Sequence, residues 1–181
     1  MDLDREIQRI FLREESLDDL APRAKDTHPA RHWSRAVIME RIAYLKEMAR
    51  FGNGLAAETV REAPGHAAML LLRTRTGEAE LHDKHADYYI VQSGAATLIT
   101  GGRIENARDT GPGETRGDAI DGGRRQQLGP GDVAYVPAGV PHQFELTGDA
   151  TISYFMIKIE LQEEDSSRNS QLKMRDKATG A

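Results

Sequence analysis

The sequence predicts an all-β barrel or sandwich behind a helical N-terminal extension. Three observations carry that reading. From about His66 onward the chain breaks into short apolar or alternating runs, each closed by glycine, proline or a polar pair, which is the texture of many short strands. The residues before it place apolar side chains at helical spacing instead. Between Gly131 and His142 a glycine turn, a short apolar strand and a Pro-x-Gly corner follow in close order, and each of them fixes the backbone locally.

Residues 1–62 read as the helical extension. Leu3, Ile7, Ile10 and Phe11 form a narrow apolar stripe. Ser16, followed by Leu17-Asp18-Asp19, marks a helix start with acids near the positive end of the dipole. Pro22 interrupts it, so 16–31 is expected to be irregular. A longer helix is predicted over 34–51, with Val37, Ile38, Ile42, Leu45, Met48 and Phe51 on one broad face and Gly52-Asn53-Gly54 as its stop. That face serves either as cover for the barrel or as a dimer contact.

The barrel is expected over 63–161, with strands at 67–74, 79–82, 88–92, 95–100, 132–136, 143–146 and 150–160. In the last, Ile152, Tyr154 and Met156 share one face and Phe155, Ile157 and Ile159 the other, so both sides should be covered. The stretch 101–131, rich in glycine and charge, reads as a long loop, either a lid or a surface excursion. Ile104 and Ala119-Ile120 are placed to seat a small hairpin within it. The polar tail 162–181 is expected to be disordered.

Composition removes several functions. The 181 residues carry a formal net charge of −5 and no cysteine, so nucleic-acid binding, disulfides, thiolate catalysis and cysteine-ligated zinc lack support. No apolar run approaches the roughly 20 residues that span a bilayer, and no membrane partner is expected. The start Met1-Asp2-Leu3-Asp4-Arg5-Glu6 lacks a secretory pattern. A cytoplasmic location is therefore expected, or a periplasmic one if a signal has been removed. Neither a G-x-S-x-G elbow nor a P-loop occurs.

The spacing Gly131-x5-Pro137-x-Gly139-x2-His142 resembles the second signature motif of the cupin superfamily, with Leu146 where that motif usually ends in asparagine. The first cupin motif, H-x-H, three or four residues, E, six residues, G, aligns on Gly94. Asp87 then falls at the glutamate, His82 at the second histidine and Glu80 at the first. The resemblance implies a double-stranded β-helix jelly roll and a metal site of Glu80, His82, Asp87 and His142. A tighter turn would bring in His85 in place of Glu80.

Two imidazoles and two carboxylates suit a divalent ion, Zn, Fe, Mn, Ni or Co. Asp87 is one methylene shorter than the usual glutamate, so it either reaches the ion or orients another ligand. Glu80, Asp87 and Tyr89 are the candidates for moving a proton; Tyr89 points inward by strand parity. His28, His32 and His66 take no role. The function expected is a metal-dependent enzyme of isomerase, epimerase or dioxygenase type, acting on a small polar substrate inside the barrel. The alternative is a non-catalytic binding or sensing protein. A homodimer is expected, since cupins commonly dimerise.

Overall fold

A computed structural model of the chain describes residues 32–161. The stripe at 3–11, the irregular stretch 16–31 and the tail 162–181 lie outside the described residues. Helix α1 spans Arg35–Phe51 and starts as expected, with Ser34 Oγ accepting from the Val37 N–H at 3.3 Å. Its buried face is narrower than predicted. Ile42, Leu45 and Ala49 pack on Ala56, Leu70 and Leu72, while Val37, Met48 and Phe51 stay exposed. One sheet face covers only one stripe of a helix. No described helix is long and apolar enough to cross a membrane.

The helical reading fails after Gly54: Leu55–Ala63 is strand β1. Pairing along β2 (His66–Arg73) overrides the weak strand preference of its Ala and Glu residues. There follow β3 (Ala79–His82), β4 (His85–Gly94), β5 (Ala96–Thr100), β6 (Arg103–Glu105), β7 (Arg108–Gly111), β8 (Glu114–Gly117), β9 (Ala119–Asp121), β10 (Arg124–Leu128), β11 (Val133–Val136), β12 (His142–Glu145) and β13 (Ile152–Glu160). The predicted loop 101–131 is therefore mostly strand. Gly101-Gly102, Gly113 and Gly122-Gly123 make the turns before β6, between β7 and β8 and between β9 and β10, Asn106 with φ 50° turns the chain between β6 and β7, and Ile104 meets Ile120 across the β6–β9 pair.

Two antiparallel sheets face each other. One runs β1-β2-β13-β4-β11 and the other β10-β5-β12-β3-β8-β7. The helix lies on the outside of the first, where Phe155 packs toward it. Ile159 keeps 36% exposure, so β13 is covered on both faces along only part of its length. The inner faces grade from polar to apolar along the barrel. β4 presents Asp87, Tyr89 and Val91; β13 presents Lys158, Met156, Tyr154 and Ile152; β12 presents His142 and Phe144. Phe144 stacks on Tyr154 with ring centroids 4.8 Å apart, and Tyr89 meets both rings edge-on. A bulge interrupts the β4–β13 ladder: partners step from Ser153↔Ser93 to Tyr154↔Val91, which leaves Gln92 as the extra residue.

The turn after β4 admits only glycine. Gly94 has φ 76°, and a Cβ there would stand 1.9 Å from the Thr151 carbonyl oxygen. We expect Gly94→Ala to cost more than about 3 kcal/mol in urea unfolding. Gly148, with φ 57° and open space around it, should cost about 1 kcal/mol as alanine. Equal losses at the two positions would show that the close approach is unimportant.

Candidate metal centre

Strand register assembles the polar end of the barrel. Glu80 and His82 are two apart on β3 and share its inner face. Across one edge of β3, Glu80 stands opposite His142 of β12. Across the other, Glu80 stands opposite Arg116 and His82 opposite Glu114, both of β8. On the facing sheet Asp87 of β4 is paired with Lys158 of β13. The corner before β12 is tied down as well, by the Gly139 N–H donating to the His82 carbonyl at 2.8 Å. Cross-strand partners are close neighbours, so all seven side chains converge.

Both histidines have one ring nitrogen committed and the other turned inward. His82 Nδ1 lies 2.5 Å from Glu114 Oε2, and His142 Nδ1 lies 3.1 Å from the Val140 carbonyl. Those acceptors place the ring proton on Nδ1 and leave the lone pair on Nε2. Both Nε2 atoms are buried without a hydrogen bond. His82 Nε2 stands 3.4 Å from Glu80 Oε2, and both Nε2 atoms stand 3.5 Å from Asp87 Oδ2. One donor atom from each of Glu80, His82 and His142 lies within 4.8 Å of the others. Ligands about 2.1 Å from a shared ion lie about 3–4 Å apart, so a slight contraction of this donor set would enclose a divalent cation.

The carboxylates are held in place by cations. Glu80 Oε1 takes Arg116 Nη1 at 2.6 Å and Arg73 Nη2 at 3.2 Å, which leaves Oε2 facing His82. Asp87 Oδ1 faces Lys158 Nζ at 3.4 Å, and Oδ2 accepts from the Tyr89 hydroxyl at 3.1 Å. Burial alone would push the Glu80 carboxyl up; Arg116, His82 and Arg73 together outweigh it and hold the group well below the carboxylate range. For Asp87 burial is likewise overcome, chiefly by Lys158 and then the two imidazoles, so its carboxyl also titrates low. Burial raises Glu114 too, but its bond to His82 wins and the pKa falls. His82 is raised: burial opposes the charged ring, and the bonds to Glu114 and Glu80 prevail. Burial, then Asp87 and Glu80, raises the Tyr89 phenol well above its ordinary value, which leaves it a hydrogen-bond donor.

Glu80, His82, Asp87 and His142 are thus brought together, with Tyr89 beside them. His85 begins β4 and does not sit in the preceding turn. It is half-buried, its Nδ1 faces Glu114 Oε1 at 3.8 Å, and it lies outside the group formed by Glu80, His82 and His142. Sequence reasoning missed Arg73, Glu114, Arg116 and Lys158. Lys158 was visible as a charge at the inward parity of Tyr154 and Met156. Glu114 and Arg116 gave no signal, because only the β3–β8 register brings them in. A cavity of about 250 Å³ is lined by Leu98, Thr100, Leu128, Tyr135, Pro137 and Val140, and none of Glu80, His82, Asp87 and His142 lines it.

Residues 113–158, which span β8 to β13, match the family described as the cupin domain. The match covers a minority of the chain, from β8 into β13. No curated protein matches its sequence. Among solved structures, BH2720 from Bacillus halodurans aligns to this chain with a TM-score of 0.51 at 13% identity, covering 77% of this chain and 86% of that one. KdgF from a Halomonas species gives a TM-score of 0.43 at 17% identity, covering 62% and 84%. A sugar phosphate isomerase of the cupin superfamily from Silicibacter pomeroyi gives 0.43 at 18%, covering 60% of each chain. At these identities the likeness concerns the fold alone.

The shifts set a pH dependence. Glu80, Asp87 and Glu114 titrate lower in the folded chain, so the unfolded chain takes up protons first as pH falls. Their stabilisation is complete above about pH 4.5 and is lost as pH drops through the folded values. His82 works in the opposite sense. Its contribution is complete below about pH 6.5 and fades as pH rises through its raised folded value. The metal-free protein should lose about 10 °C of Tm between about pH 5 and pH 3. A flat Tm over that range would contradict the buried ion pairs.

Proposed function

We propose that this chain is a cupin that binds a divalent metal ion through Glu80, His82 and His142, with Asp87 alongside. On this reading it is a metal-dependent enzyme acting on a small polar substrate in the barrel. One observation carries the reading: two buried imidazole Nε2 atoms lack hydrogen bonds, share a space with a carboxylate oxygen, and have their Nδ1 protons already committed. Without an ion, two lone pairs would be desolvated with nothing in return.

A divalent ion held there supplies Lewis acidity to a carbonyl, enediol or carboxylate oxygen. The chain's own residues do the rest. Glu114 and the Val140 carbonyl fix the tautomers of His82 and His142. Arg73 and Arg116 hold Glu80 Oε1 so that Oε2 alone points inward. Tyr89 donates a hydrogen bond at the side of Asp87. Two imidazoles and one carboxylate form the donor set of non-haem iron oxygenases, so the dioxygenase reading stands beside the isomerase or epimerase one. The identity of the metal separates them: iron supports the oxygenase, while zinc, manganese, nickel or cobalt supports the isomerase or epimerase.

The non-catalytic alternative draws on the same ion pairs. Glu80 and Asp87, both kept ionised by neighbouring cations, are weak bases. A homodimer would place a second copy against the exposed Val37, Met48 and Phe51 of α1; sedimentation of the purified chain measures this directly.

Elemental analysis of the wild type beside His82→Ala and His142→Ala tests the reading. We expect about one ion per chain in the wild type and its loss in both variants. A wild type that neither contains metal nor takes it up would leave a binding barrel as the better account.

A further inference from the structure

The carboxylates of the proposed centre are already neutralised by the protein. Glu80 pairs with Arg73 and Arg116, Asp87 with Lys158, and Glu114 lies across from His82. In full charges, Glu80, Asp87 and Glu114 face Arg73, Arg116 and Lys158, three against three, all with little exposure. The rim charges Asp83, Lys84 and Glu160 are exposed and screened by solvent. His82 and His142, with Nε2 turned to an ion, are neutral and add nothing to the tally. Among the described residues, a divalent cation therefore brings two positive charges that no further buried carboxylate offsets into a wall where uncompensated charge is costly.

On the basis of the metal reading above, we infer that the molecule completing this centre is a small anion bearing a carboxylate or a phosphate, taken in preference to a neutral sugar or alcohol. A dianion cancels the excess; a neutral ligand leaves it in place. The charge balance also fixes how single residues act on binding. Removing a carboxylate that does not hold the ion strengthens the anion's attraction, and removing a cation weakens it.

Calorimetry on the metal-loaded chain tests this, with metal content measured on the same sample and malonate, inorganic phosphate, malonamide and glycerol as probes. We expect malonate or phosphate to bind at least about tenfold more tightly than malonamide, and the preference to vanish in stripped protein. At saturating metal, Glu114→Gln should tighten the anion by about threefold or more and Lys158→Met should loosen it by a similar factor; a merely structural disturbance would weaken both. A loaded site that binds malonamide or glycerol as well as malonate, or that binds none of the probes, overturns the inference and leaves the metal reading intact. A chain that takes up no metal overturns both.

Discussion

Closing two sheets over ionised side chains is tolerable only if every charge finds its opposite, and this barrel is organised around that requirement. The bonds from Arg73 and Arg116 to a single Glu80 oxygen come from opposite walls, β2 on one sheet and β8 on the other. The Asp87–Lys158 pair lies wholly on the first sheet and faces the two imidazoles of the second. Removing one member of such a group strands its partner, which costs far more than the pair contributes. The apolar half, built on Tyr154, Phe144 and Tyr89, can pack closely because the polar half is self-contained.

The geometry at the centre follows from register more than from side-chain adaptability. Five of the polar residues around the ion space stand directly opposite one another on the β12–β3–β8 ladder, and Asp87, paired with Lys158, enters from the facing sheet. Short, stiff spans fix the donors, and hydrogen bonds from behind fix the rings. A site on strands in this way needs little reorganisation to accept a ligand.

Much of this was legible in the sequence. The Gly131-to-His142 stretch announced the corner that delivers His142, and the two-residue spacing of Glu80 and His82 announced a shared face. Asp87, Tyr89 and Val91 pointed inward as strand parity requires. Within 101–131 only the pairing of Ile104 with Ala119-Ile120 was legible: β7, β8 and β10 are short and polar, and they are strands only because neighbouring strands supply their hydrogen bonds. With them went Glu114 and Arg116, whose significance lies in what they stand opposite. The end of the helical region was misplaced for a related reason, since Leu55–Ala63 has a composition that suits either state and is decided by its partner β2.

The bulge at Gln92 sets the polarity of the interior. Gly94 is pinned against Thr151, so the turn end of β4 cannot slide to absorb a change in length. Deleting the one extra residue would rotate every β4 side chain below it by half a turn. Asp87 and Tyr89 would then face outward, and Tyr88 and Ile90 would point into the barrel. One codon thus separates this charged interior from a greasy one, and chains sharing the architecture can be sorted by whether they keep that residue.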